Sequence, residues 1–191
     1  MEKSERIRQL MPLIDQIQDE KIRNGVIETW LKAWEESEWN DIADCPFHPD
    51  VENCSLMQHT NFVVTTALHM ANSAKEIWHV PVNTDLLLAS ALLHDVSKAL
   101  EYAPQEGTLG KKSAIGENLI HGAYGVHLAL NAGLPLEVAH IIGVHTPQVS
   151  QIPKTIEGIL ICYADSAAAD IFFARSGMTL TLDLIDFKFH R

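Results

Sequence analysis

Apolar residues return at spacings of three and four along most of this chain. Between Asp19 and Trp39 the series Ile22, Val26, Trp30, Ala33 and Trp34 draws one stripe down a helix and leaves charged positions opposite. Ahead of it, Ile7, Leu10, Met11, Ile14 and Ile17 make a shorter amphipathic segment in which Pro12 either opens a helix or kinks one. The period is lost from Asn40 to Leu56, where Asp44-Cys45-Pro46, His48-Pro49-Asp50 and Asn53 supply turn chemistry, so a connector is expected. Five helices are expected from His59 onward. They cover roughly 59–78; 84–99, capped by Asn83 or Thr84; 119–132, stopped before Gly133-Leu134-Pro135; 135–145, opened by Pro135 and ended by Pro147; and 154–174. The stretch from Glu101 to Asn118, with Gly107, Gly110 and Gly116, reads as a loop that could act as a lid. In the tail from Thr179 to Phe189, Leu180, Leu182 and Leu184 alternate as in a strand while the composition tolerates helix. No internal repeat or low-complexity tract interrupts the pattern. The expected fold class is all-α: a compact helical bundle of one domain overall, with residues 1–58 as an N-terminal helical cap packed on a 59–174 core and 175–191 as a C-terminal tail.

Composition narrows the function classes. At 191 residues and 47% hydrophobic content the chain supports one sizeable core. Its net charge of −11 argues against an extended phosphate-backbone contact, so no nucleic-acid partner is expected. Residues 1–58 carry most of the excess, with six basic against thirteen acidic side chains. Met1 to Arg8 is charged and lacks an apolar leader core, and the run Leu86 to Leu93 is far too short to span a bilayer, so no membrane partner is expected. Cys45, Cys54 and Cys162 form an odd set with no C-x-x-C, which argues against a disulfide framework and for a reducing, cytoplasmic location.

The chemistry concentrates around His94-Asp95, within Ala91-Leu92-Leu93-His94-Asp95-Val96-Ser97-Lys98, with His59, His121, His145 and Asp165 on either side. Imidazole and carboxylate are ligands that Fe, Mn, Co and Zn accept. On one helical turn, His94 and Asp95 point about 100° apart and can address two adjacent ions. Asp165 lies amid small apolar residues, where a carboxylate needs a partner to be buried. Lys98 falls four residues after His94, on the same helical face, where its ammonium can meet a phosphate oxygen. Of the five basic residues between His59 and Asp165, Lys98, Lys111 and Lys112 crowd one short stretch, which favours phosphate steering, although loop lysines are also ordinary solvated surface. The sequence contains neither a G-x-S-x-G elbow nor a P-loop. A rival site, Cys45-x2-His48 with Cys54-x4-His59, uses zinc-like ligand types but has only one typical spacing. His48, His69, His79 and His190 read as structural or surface residues, and His127 and His140 point away from the faces of His121 and His145. Trp30, Trp34 and Trp39 read as core and boundary residues of the cap.

The ordered words Gln58-His59-Thr60, Leu93-His94-Asp95-Val96-Ser97-Lys98, His121-Gly122-Ala123-Tyr124-Gly125, His145-Thr146 and Tyr163-Ala164-Asp165 resemble the HD superfamily of metal-dependent phosphohydrolases, from about His59 to about Asp170. The resemblance implies an HD-domain helical bundle whose core ligands are His59, His94, Asp95 and Asp165. His121 and His145 match the extra ligands of the two-metal branch, in which Asp95 bridges the ions. Two divalent metal ions are then expected, Fe or Mn favoured, with Co, Zn, Ni or Mg compatible. The implied function is hydrolysis of a phosphoester or phosphoanhydride bond in a small phosphorylated, nucleotide-like substrate by a metal-bridging water. Asp95 and Lys98 would be catalytic, and Lys98, Lys111 and Lys112 would bind substrate. The phrases are similar to those of small bacterial two-metal HD hydrolases, including the group that cleaves symmetrical diadenosine tetraphosphate. The long N-terminal segment and the tail depart from that group, and the GYP phrase of cyclic-di-GMP phosphodiesterases is absent. Two alternatives share the ligand set: an HD-type di-iron oxygenase cleaving a C–P or C–C bond, and a non-catalytic ligand-sensing module.

Overall fold

The computed structural model describes residues 2–120, 122–146 and 148–184. It is an all-α assembly with one two-residue strand pair among the described residues. Helix α1 (Lys3–Leu10) leads into a 3-10 segment, Pro12–Gln16, which Pro12 opens at its first position. Helix α2 (Glu20–Glu36) follows, with the Asp19 carboxylate accepting from the Lys21 and Ile22 amides. Cap chemistry sets the next two starts. Ser55 and Gln58 form a reciprocal capping box at the head of α3 (Leu56–Trp78), and the Asn83 side chain accepts from the Leu86 amide to open α4 (Thr84–Leu93). His59 therefore lies one turn inside its helix.

Helix α4 is the structural centre. Every residue from Leu87 to Leu93 is buried, the mark of a helix surrounded by others. Helices α2, α3, α8 (Leu136–Val144) and α9 (Ile156–Arg175) pack around it. One continuous buried cluster runs from Ile7, Met11 and Trp30 through Val63, Leu88 and Leu92 to Ile141, Ile161 and Ala168. Among the described residues, no helix is long and apolar enough to cross a membrane.

The helix expected over 84–99 is broken. It stops at Leu93, residues 94–97 form tight turns, and α5 (Lys98–Glu101) starts afresh. Two side chains cause the break by taking carbonyls that a continuing helix needs. His94 Nδ1 donates to Ala91 O at 2.7 Å, and Trp30 Nε1 donates to Leu92 O at 3.0 Å. Those are the acceptors that the amides of residues 95 and 96 would have used. The Val96 amide instead bonds Leu93 O at 3.1 Å and the Lys98 amide bonds Asp95 O at 3.0 Å, in three-residue steps.

The expected loop over 101–118 also holds structure. Strands β1 (Tyr102–Ala103) and β2 (Lys111–Lys112) pair antiparallel, and α6 (Ala114–Asn118) follows, capped by Ser113. Trp39 Nε1 donates to Tyr102 O at 3.0 Å, tying the hairpin to the N-terminal segment. Helix α7 (Ala123–Asn131) begins four residues later than the 119–132 expectation, after a turn closed by Gly122 at φ +81. A Cβ there would sit 2.7 Å from Ile142 O, so only glycine permits this approach of α7 to α8. The fourth and fifth expected helices match α8 and α9 to within two residues at each end. The connector over 40–56 contains a 3-10 turn, Ile42–Asp44, and an isolated bridge between Pro46 and Ser55. The start of the tail is helical, α10 (Thr181–Leu184), with the Asp170 carboxylate accepting from the Thr181 amide at 2.6 Å. The rest of the tail expectation, the helix stop at Pro147 and the reading of His190 lie outside the described residues.

Candidate metal centre

Four of the six expected ligands meet at one point. His59 comes from α3, His94 and Asp95 from the turn after α4, and Asp165 from the middle of α9, and one ligand atom from each lies within 4.8 Å of the others. His59 Nε2 is 3.2 Å from His94 Nε2, 3.1 Å from Asp165 Oδ1 and 3.2 Å from Asp95 Oδ2. His94 Nε2 is 3.5 Å from Asp95 Oδ2 and 3.7 Å from Asp165 Oδ1. His145, at the C-terminal end of α8, reaches the same group, with Nε2 3.5 Å from Asp95 Oδ1 and 4.0 Å from Asp165 Oδ2. His121 lies outside the described residues.

The donor set fits a divalent cation. His94 Nδ1 donates to Ala91 O at 2.7 Å, and His145 Nδ1 donates to Ile142 O at 2.8 Å. Each backbone bond fixes the ring so that Nε2 turns its lone pair toward the carboxylates, the arrangement of metal-ligating histidines. Lone pairs and carboxylate oxygens facing one another repel unless a positive charge lies between them. Ligand separations of 3.1–3.7 Å are also those expected between neighbours on a common ion with bonds of about 2.1 Å. His59 adds a further constraint: its ring stacks on Phe47 with centroids 3.9 Å apart, and its buried Nδ1 finds no hydrogen-bond partner among the described residues.

The local electrostatics point the same way. Burial opposes a charge on His94, but Asp95 and Asp165 prevail and raise it to about 10. Burial would likewise raise the Asp165 carboxyl. Hydrogen bonds from His59 and His94, with the His94 charge, instead hold it well below the usual carboxylate range. The pocket thus binds a proton tightly at the place where its geometry suits a metal.

Lys98 is not displayed along the His94 face of one continuous helix, because the chain turns between them. It begins α5 and is buried. Its Nζ lies 3.2 Å from Asp95 Oδ2, donates to Phe47 O at 3.4 Å and sits 4.0 Å over the Phe47 ring. Burial disfavours its charge, yet Asp95 foremost, then Tyr102, Asp165 and Glu101, keep the ammonium well above the usual lysine range. Beside this ion pair opens a cavity of about 430 Å³. Asp95, Asp165, Lys98, Glu101, Thr146 and Ser166 are among its polar lining residues, and Phe47, His48, Tyr102, Leu119, Ile120 and Phe173 line it as well. Lys112 lines the cavity as well; Lys111, its neighbour in β2, is exposed and is not among the lining residues.

The HD domain family profile matches residues 56–170. The chain belongs to the HD family. It is also 32% identical over 177 residues to the dihydroneopterin 2′,3′-cyclic phosphate phosphodiesterase of Methanocaldococcus jannaschii, an alignment covering 86% of this chain and 70% of that protein. No solved structure gives a significant match. Membership makes this HD protein a metal-dependent phosphohydrolase that binds a divalent metal, and its His/Asp cluster lies within the matched region.

The rival cysteine site does not form among the described residues. Cys45 and Cys54 are buried and, with His48, stand outside the group of side chains placed to share an ion, which His59 joins instead. Sequence reasoning missed the aromatic lining. His48, read as structural or surface, faces the cavity, and Phe173 joins it from α9. Their only signal was an aromatic pair, Phe47-His48, in a connector without period.

Proposed function

We propose that this HD protein hydrolyses the phosphoester bond of a small phosphorylated substrate that carries a planar ring, with His59, His94, Asp95 and Asp165 holding one divalent ion and His145, with His121, helping Asp95 to hold a second. The observation that carries the reading is the cavity itself, whose wall combines the carboxylates of Asp95 and Asp165 and the Lys98 ammonium with the aromatic side chains of Phe47, His48, Tyr102 and Phe173. Metal ions bound by these residues would supply a nucleophile from water near neutral pH and would neutralise charge on phosphoryl oxygens. Lys98 adds a fixed positive charge, held in place by Asp95 and by the Phe47 carbonyl and ring. Thr146 and Ser166 present hydroxyl groups to the cavity, suited to hydrogen-bond phosphoryl oxygens. Lys112 adds positive charge at the lining and draws an anionic substrate inward.

The similarity to a cyclic-phosphate phosphodiesterase favours an ester over an anhydride, and a 2′,3′-cyclic phosphate of a nucleoside or pterin alcohol over a dinucleoside polyphosphate. The test is a panel of phosphomonoesters, linear and 2′,3′-cyclic phosphodiesters and dinucleoside polyphosphates, assayed with protein loaded in turn with Fe, Mn, Co, Zn, Ni or Mg. Selective release of monoester from cyclic phosphates is expected. Turnover confined to anhydrides, or none with any metal bound, would overturn the proposal.

A further inference from the structure

His48 stands in the connector between α2 and α3, outside the metal cluster, yet it faces the cavity. Its ring meets Phe173 nearly edge-on, with centroids 5.9 Å apart at 82°, and Tyr102 at 6.3 Å and 70°. Its Nδ1 accepts the Asp50 amide at 3.2 Å. That bond commits the neutral ring to carrying its proton on Nε2, and the described residues give this N–H no hydrogen-bond partner. Burial foremost, then the nearby charge of Lys98, lowers the pKa of His48, against the opposing Asp50 carboxylate 3.8 Å from Nδ1. The result is a fixed donor set among aromatic edges and faces.

Space points to what the donor serves. The cavity holds about 430 Å³, and a phosphoryl group, a few times the roughly 30 Å³ of a water molecule, fills only part of it. Phe47 is already taken up by His59 and Lys98; the remaining volume is bounded partly by Phe173 and Tyr102, surfaces that favour a flat partner. We infer that His48 is a specificity-determining residue whose Nε2–H donates to an acceptor atom of a planar nitrogen heterocycle on the substrate, while the ring packs on Phe173. This rests on the proposed hydrolysis for the position of the phosphate, but the ring site itself is a binding site and can be measured without turnover.

Two readouts on the Mn-loaded full chain test it. The first is binding of guanosine, which has no phosphate to cleave, against methyl riboside, by isothermal titration or ligand-detected NMR. The second is the ratio of kcat/KM for guanosine 2′,3′-cyclic phosphate to that for methyl riboside 2′,3′-cyclic phosphate. His48→Phe keeps the aromatic packing and removes the donor. It is expected to weaken guanosine binding about tenfold and to lower the ratio by a similar factor. His48→Gln, which keeps an N–H, restores part of both, and Phe173→Leu weakens guanosine binding several-fold. Thermal melting of each variant confirms that it folds. Guanosine binding that depends on His48, in a protein that cleaves no cyclic phosphate, would uphold the ring site and overturn the proposed hydrolysis. Equal binding of guanosine and methyl riboside by the unmodified protein would overturn the ring site, as would a His48→Phe variant that loses activity on both cyclic phosphates in proportion.

Discussion

Metal binding to this protein should expel a proton from His94, by an amount that the geometry sets. In the metal-free protein the carboxylates of Asp95 and Asp165 raise His94 to about 10, against an ordinary 6.5. Its Nδ1 proton is committed to Ala91 O, so the proton gained and the metal bound compete for the same atom, Nε2. At pH 7 the metal must displace a proton held about three pH units too tightly, a cost of about 4 kcal/mol. Asp165 is held below the usual carboxylate range and releases nothing further at neutral pH. Apparent affinity should therefore rise about tenfold per pH unit from pH 7 to about 9 and level off near 10. Titrating Mn at one pH in buffers of different ionisation enthalpy measures the protons released, and about one from His94 per protein chain is expected. His94→Gln should abolish most of that release. A dissociation constant flat across this range, with no buffer dependence, would refute the argument. The sign for the metal-free fold is the converse: the raised His94 stabilises it fully below about 6.5, and that contribution is lost as pH climbs toward 10.

Other perturbations probe separate parts of the account. Asp95→Ala removes the carboxylate within 3.5 Å of His59, His94, His145 and Lys98; elemental analysis should show metal lost and turnover should fall by at least about a thousandfold, whereas full metal content with full activity would count against the bridging role. Lys98→Ala should raise KM or lower kcat on phosphate esters by about tenfold or more, and unchanged kinetics across several substrates would remove Lys98 from the site. Gly122→Ala forces a Cβ against Ile142 O at a φ of +81, and that same carbonyl orients His145; a loss of about 1–3 kcal/mol should lower Tm by several degrees and weaken metal binding. Trp30→Phe deletes the indole bond to Leu92 O, and the expected loss of about 1 kcal/mol should appear as a lower denaturation midpoint at unchanged m-value.

The grouping of His59, His94, Asp95 and Asp165 was legible because it depends on residue type and order. His59, the His94-Asp95 pair and Asp165 lie on three separate elements, yet their ligand atoms come within 4.8 Å of one another. Helices α2, α3, α8 and α9 were legible from apolar period, with Pro135 marking the start of α8; the Ser55 cap was not read, and α3 begins three residues earlier than expected. The break after Leu93 was not legible, because it is made by a contact 62 residues distant in sequence, Trp30 to Leu92 O, and by the His94 ring turning back on Ala91. Neither leaves a mark in local period. The pairing of Tyr102 with Lys112 was hidden for a similar reason: two-residue strands carry no alternation. His48 and Phe173 come together across more than a hundred residues, so the aromatic lining required the fold.

The most direct measurement is anomalous diffraction from crystals of the Mn-loaded protein, collected on both sides of the metal absorption edge. The account predicts a peak bonded to His59, His94, Asp95 and Asp165, with a second beside Asp95 and His145. A protein saturated with metal but lacking density between His59, His94, Asp95 and Asp165, its ions bound elsewhere, would contradict it.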